Sequence, residues 1–127
     1  MFTILKKRAL NPSVTLMEID APQVARKAEP GQFIILRVDD KGERIPLTVA
    51  DFDREKGSVT IIFQIVGATT YRLNLLKEGD SLRDFVGPLG LASHTEGLKK
   101  VCVIGGGVGT AIAYPIAKKL HSIGCEV

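Results

Sequence analysis

The stretch ERIPLTVADFDREKGSVTIIFQIVGATTYRL, residues 43–73, decides how this 127-residue chain folds. Within SVTIIFQIV (58–66), Val59, Ile61, Phe63 and Ile65 share one face of an extended segment, and Thr60, Ile62, Gln64 and Val66 share the other, because successive side chains of a strand point to opposite sides. The pattern predicts a strand nearly buried on both faces. REKG (54–57) ahead of it is a turn signal, and IPLTVAD (45–51) before that reads as another strand. Behind it, VGATTYRL (66–73) sets Gly67 ahead of Thr69 and Thr70 at the start of a short helix.

The same grammar runs back to the first residue and on to about residue 97. FTILKK, SVTLMEI, QFIILRV and DSLRDFV alternate with the turn signals NPS, EPG, DDKG and KEGD. Six strands with one short helix predict a mainly β fold, a small closed barrel that leaves no sheet edge open. From Leu98 the pattern changes. KVCVI (100–104) is a short apolar run of the kind that forms a parallel strand covered on both faces. Glycines follow, then Ile112, Ile116, Leu120 and Ile123 at helical spacing, a stop at Gly124, and CEV (125–127) as the start of a further strand. Pro115, inside that helix, removes one backbone hydrogen bond and is expected to bend it. The boundary places one domain at 1–97 and the start of an incomplete second one at 98–127.

Composition fixes the broad class. The chain is 45% hydrophobic and 24% charged, which predicts a folded domain and excludes disorder. No run approaches a membrane span, and MFTILKKRAL has its charges in the wrong order for a signal peptide. A cytoplasmic location is expected. The net charge of +3 is spread over short groups at Lys6 to Arg8, Lys99 to Lys100 and Lys118 to Lys119, and only 6% of residues are aromatic, so nucleic acid is not an expected partner. Cys102 and Cys125 lack metal-ligand spacing, and reduced, buried thiols are expected. No metal site and no catalytic acid, base or nucleophile stands out.

Three segments carry chemistry. In IGGGVGTA (104–111), Gly105, Gly106, Gly107, Val108, Gly109 and Thr110 lie between an apolar run and a helix, where backbone amides can approach a phosphate; a tight turn that needs glycine for packing explains the same residues. Gly67, Thr69 and Thr70 suit a diphosphate at a helix start, or an ordinary cap. Arg44 offers a permanent planar cation, Pro46 fixes the backbone and Thr48 presents a hydroxyl; an edge strand with one solvated arginine is the plainer alternative. The acidic or basic residue that reads a nucleotide ribose is expected some 20 residues beyond the glycines, past Val127, so a pyridine-nucleotide site here is expected to be incomplete and NAD(P)H binding weak. The chain reads as a piece of a longer protein.

In this order the segments resemble the ferredoxin reductase superfamily. The likeness rests on Arg44, Ile45, Pro46, Leu47 and Thr48, on PGQF (30–33), GATT (67–70), GPLG (87–90) and GGGVGTA (105–111), and covers essentially the whole chain. It is nearest to the electron-transfer subunits of dihydroorotate dehydrogenase and to the flavin subunit of NADH-dependent ferredoxin NADP reductase (sulfide dehydrogenase). The resemblance implies a six-stranded antiparallel Greek-key barrel that binds FAD, followed by the first β-α-β of a Rossmann-like domain. It implies that Arg44 meets the FAD diphosphate, that Pro46 and Leu47 form the wall against the isoalloxazine, that Thr48 approaches its reactive edge, that Gly67, Thr69 and Thr70 bind diphosphate, and that the backbone of Gln64, Ile65 and Val66 lies beside the flavin or ribose. It implies electron transfer between NAD(P)H, FAD and an iron–sulfur centre or catalytic partner subunit, the 2Fe-2S cluster belonging only to longer relatives. The competing reading is a barrel without cofactor that serves in subunit docking. The apolar strand and helix after residue 98 predict a homodimer that covers them.

Overall fold

The computed structural model describes residues Met1–Val127. Eight strands form two antiparallel sheets. A five-stranded sheet has the order β5-β6-β2-β1-β7, from β1 (Phe2–Asn11), β2 (Val14–Asp20), β5 (Asp51–Asp53), β6 (Ser58–Gln64) and β7 (Ser81–Leu82). A three-stranded sheet has the order β4-β3-β8, from β3 (Phe33–Arg37), β4 (Ile45–Thr48) and β8 (Asp84–Leu89). Three helices accompany them: α1 (Pro22–Lys27), α2 (Ala68–Leu75) and α3 (Thr110–Ser122).

Local chemistry sets the hairpins. Asn11 Oδ1 accepts from the Ser13 amide at 2.9 Å and turns β1 into β2. Asp53 Oδ1 accepts from the amides of Glu55 and Lys56, both at 3.0 Å, and turns β5 into β6. Gly57 closes that turn at φ +72°, and a Cβ there would also press on Pro22 at 3.1 Å.

Six apolar runs become eight strands because two of them change sheets midway. Val49 donates to Gln32 O at 3.1 Å and the next residue, Ala50, donates to Thr60 O at 2.9 Å, so IPLTVAD leaves the small sheet as β4 and joins the large one as β5. Ser81 and Leu82 pair with β1, while the Arg83 amide donates to Arg37 O at 3.0 Å and β8 continues along β3. Strands that bend from one sheet into another form the corners of such packings. Between the sheets the inward residues Ile4, Met17, Ile19, Val59, Ile61 and Phe63 meet Ile34, Leu36 and Phe85, with Val24 and Ala25 of α1 and Leu73 of α2 packed into the same core. The amphipathic alternation therefore reads correctly on one face. On the other, β6 is not covered: Ile62 is half-buried and Gln64 and Val66 are exposed, because only part of α3 passes over that side.

The segment after residue 98 departs from expectation. Residues 101–106 form no sheet strand; their extended start meets the chain end through one parallel bridge, Lys100 to Glu126. A parallel strand buried on both faces needs neighbours along its length, and here only the bridge and its flanking hydrogen bonds, Val101 N to Glu126 O and Glu126 N to Lys99 O, each 2.8 Å, supply them. Cys102 is accordingly exposed rather than buried, whereas Cys125 is buried. Helix α3 runs on through Pro115. Of the predicted stripe, Leu120 is buried and Ile116 half-buried, whereas Ile112 is 50% and Ile123 49% exposed; Ala111 and Pro115 complete the buried face. Beside this face Lys118 pairs with Asp51 and Lys119 with Glu29, each at 2.9 Å. The hydrogen bond to Asp51 holds the Lys118 ammonium above its ordinary pKa against the opposing effect of partial desolvation. No helix is long and apolar enough to cross a membrane.

Candidate functional site

Strand β4 is where the sheets part. Its register pairs the half-buried Leu47 and Ile45 with the buried Ile34 and Leu36, and Pro46 with Ile35 and Thr48 with Phe33 on the outer side. Beside it lies a cleft of about 410 Å³ whose walls are Pro46, Leu47 and Thr48, the end of β6 with Ile62, Gln64 and Val66, and Val108 and Ile112 from the glycine segment and α3. The lining is predominantly apolar, and the size is that of a pocket for one small-molecule ring system.

The cleft opens past Val66 and Thr70 into a second, about 430 Å³, at the N-terminus of α2, lined by Lys41, Glu43, Gly67, Thr69 and Arg72. Gly67, the N-cap, has no side chain, and the first hydrogen bond of the helix runs from Tyr71 N to Gly67 O. The amides of Ala68, Thr69 and Thr70 are thus without intrahelical acceptors. Thr70 faces backward: its Oγ1 accepts from the amides of Val66 and Gly67 at 2.9 and 3.1 Å and fixes the strand-to-helix link. The Thr69 hydroxyl points to Glu43 Oε2 at 3.5 Å. At the far end, the Thr15 hydroxyl donates to Asn74 Oδ1 at 2.7 Å and Lys7 Nζ to Leu76 O at 2.9 Å, which pins α2 to the large sheet.

Asp39 and Arg72 form an ion pair at the rim of this second cleft. Partial desolvation pushes the Asp39 carboxyl upward, and the Arg72 guanidinium with the amides of Lys41 and Gly42 more than reverses this, so the group sits below its ordinary value. A depressed carboxyl contributes stability above its unfolded pKa and loses it as the pH falls through the lowered folded value. Asp39→Asn is therefore expected to flatten slightly the acid side of a stability profile measured by urea denaturation. An acid limb identical to wild type would show that the pair contributes nothing.

A third cleft of about 520 Å³ separates the glycine segment from the β1–β2 turn, with Gly107, Val108, Thr110 and Tyr114 on one side and Asn11, Ser13 and Gln64 on the other. Gly107–Gly109 form a 3-10 turn that leads into α3. Gly105 is required by contact: a Cβ would lie 3.0 Å from Thr110 Oγ1 and 3.3 Å from Thr110 Cα.

The fold thus brings Pro46, Leu47, Thr48, Gln64, Val66, Thr70, Val108 and Gly109 around one cleft, and Gly67 and Thr69 beside it. Gly107 and Thr110 line the third. Four residues stand apart. Arg44 is not among the residues that line these clefts; its guanidinium lies 3.5 Å from Asp84, which also accepts from Arg37 Nε at 2.7 Å. Ile65 is partly buried against the core and its amide donates to Ser13 O. Gly105 and Gly106 support the turn, the latter by accepting from the Gly109 amide at 3.0 Å. Lys41, Glu43, Arg72, Ile62 and Ile112 join the clefts without having been read as site residues, since surface charges and ordinary apolar residues carry no motif. The donor set suits a diphosphate: open helix amides and a hydroxyl, with an apolar slot adjoining them for a flat ring.

No family model matches the chain. The chain is 48% identical over 124 residues to the dihydroorotate dehydrogenase B (NAD(+)), electron transfer subunit homolog of Thermotoga maritima, which covers 98% of this chain and 44% of that protein. It superimposes on the NADH-dependent reduced ferredoxin-NADP oxidoreductase, a system of flavin-based electron bifurcation, with a TM-score of 0.95 and 46% identity, over 98% of this chain and 45% of that one. Phthalate dioxygenase reductase shares the fold alone, at a TM-score of 0.82 and 18% identity, over 98% of this chain and 40% of that one. The fold is that of the ferredoxin reductase FAD-binding domain, and the chain is a homologue of the electron-transfer subunits of dihydroorotate dehydrogenase B and of NADH-dependent ferredoxin-NADP reductase. It spans about half the length of the curated relatives it matches.

Proposed function

We propose that this chain is the FAD-binding part of an electron-transfer subunit in an NAD(P)H-dependent flavoprotein oxidoreductase. The observation that carries the reading is the junction of an apolar cleft with an open helix N-terminus beside β4, in a homologue of electron-transfer subunits. Residues 1–97 are then the FAD domain. Its two sheets form a single barrel of six runs, a view supported by the continuity of β4 into β5 and of β7 into β8. Residues 98–127 are then the opening β-α-β of a nucleotide-binding domain, a view supported by the parallel bridge that brackets α3.

FAD, when bound, accepts the electron pair of a hydride and passes electrons on singly. The chain's own residues hold and orient it. Pro46, Leu47 and Val66 wall the ring, Thr48 offers its hydroxyl at the ring edge, and the end of β6 from Gln64 to Val66 runs alongside. Thr69 and the first amides of α2 take the diphosphate, Thr70 keeps them in place, and Arg44 adds its cation by leaving Asp84. Gly105 to Thr110 face the nicotinamide nucleotide. The acceptor beyond the flavin would be an iron–sulfur centre outside this chain or a catalytic partner subunit.

The test is reconstitution. Protein mixed with FAD and passed through a desalting column is expected to retain about one flavin per chain, read from the visible absorption of bound oxidised flavin. A colourless folded protein would refute the proposal and favour a docking module.

A further inference from the structure

Resting on the flavin reading of these clefts, we propose that Lys7 is a positioning residue: from β1 it grips the C-terminal end of α2 and so aims the open amides at the other end of the helix. Lys7 lines none of the three clefts, and its influence on a ligand has to travel through α2. Apolar packing does little to hold that helix. Leu73 is its one buried residue, and Leu76, the C-cap, is only partly buried against the core. The contacts of α2 with the segment between β3 and β4, Arg72 with Asp39 and Thr69 with Glu43, lie at the surface.

The firmer side-chain contacts to the large sheet sit at the C-terminal end and come from the β1–β2 hairpin. Lys7 Nζ donates to Leu76 O at 2.9 Å and also to Asn74 O. Thr15, 2% exposed, donates its hydroxyl to Asn74 Oδ1 at 2.7 Å. The last carbonyls of a helix lack intrahelical donors, and that end carries partial negative charge. Lys7 supplies both a donor and a cation there, whereas Arg72, the basic side chain of the last turn, is turned to Asp39. Without the ammonium, α2 keeps Leu73 as a pivot and loses its strongest restraint against tilting. A tilt of about 10° about Leu73 moves the first amides, five residues away, by about 1 Å. That is twice the roughly 0.5 Å spread of ordinary N–H···O distances, enough to forfeit one of the amide bonds to a phosphate, which corresponds to about tenfold in affinity.

The test combines calorimetric titration of the flavin-free full chain with FAD and phosphorus NMR of the flavin-bound protein. Lys7→Met is expected to lower FAD affinity about tenfold and to move the resonances of the bound diphosphate, while the visible absorption of the bound ring keeps its wild-type shape. Lys7 is only half-buried, so the flavin-free variant should melt within a few degrees of wild type. Lys7→Arg should recover most of the affinity, because a guanidinium can donate to both carbonyls. Asn74→Ala, which removes the Thr15 link alone, should show the same pattern more weakly, and it decides the matter if Lys7→Met does not fold. Unchanged affinity and phosphorus resonances, or a ring spectrum disturbed as much as the diphosphate, overturn the assignment and leave the flavin reading standing. A wild-type chain that takes up no FAD overturns that reading and this inference with it.

Discussion

Phe63→Ala is expected to remove about 3–5 kcal/mol of stability, the range for deleting a buried aromatic ring from a core. Phe63 is 1% exposed and belongs to the cluster of 17 buried residues between the sheets. It stands opposite Thr15 in the β2–β6 ladder, where it fills the space under the end of β6. The residue also lies along the cleft beside β4, so loss of its ring should loosen the wall of the site as well as the core. In a domain of this size the melting temperature should fall on the order of 15 °C, and denaturant titration at one temperature gives the free energy directly. A loss below about 1 kcal/mol would mean that neighbouring side chains collapse into the space, contrary to a close-packed interior.

Arg44→Ala should have the largest effect on cofactor binding while leaving the fold intact. The arginine side chain is 63% exposed, and its one ion pair, with Asp84, is shared with the closer Arg37. An exposed pair of this kind contributes about 0–1 kcal/mol, so the melting curve without cofactor should hardly move. A guanidinium on a phosphate is worth about 1.5–3 kcal/mol, which corresponds to a ten- to hundredfold loss of FAD affinity in the variant. Arg44→Lys should recover part of it, since an ammonium keeps the charge but not the fork of donors. Wild-type affinity in Arg44→Ala would show that the residue stays with Asp84 and belongs to the surface rather than to the site.

The sequence announced strands more clearly than it announced how they are shared between sheets. Each of the six apolar runs before residue 97 falls on strand, because a buried face leaves a period of two, whereas KVCVI and CEV form only an isolated bridge and α1 carried no signal. Nothing in Val49, Ala50 or Arg83 marks the corners, since a change of sheet is a change of hydrogen-bond partner and the partners lie far away in sequence. The docking face of α3 was hidden for a different reason. Of its apolar stripe only Leu120 is buried, and the small Ala111 and Pro115, which carry no strong apolar signal, complete the buried face. At the site, Pro46, Thr48, Gly67, Thr69 and Thr70 were readable because a motif orders them along one strand and one helix start. The Asp84 partner of Arg44 and the approach of Glu43 to Thr69 were not, for they depend on the β3–β8 register and on a loop conformation.

The pairing of β1 with β7, Phe2 with Leu82 and Thr3 with Ser81, has a consequence for the growing chain. The β1–β2 and β5–β6 hairpins involve near neighbours, and such contacts form early because little loop entropy is lost. The outer edge of β1 finds its partner only when residue 82 has left the ribosome. Until then β1 presents unpaired backbone and the side chain of Phe2, the features that invite the wrong strand to pair. Completion of the large sheet and recruitment of β8 to the small one are therefore expected as a single late event hinged at Arg83, and a nascent chain stalled short of that point is expected to carry an open sheet edge.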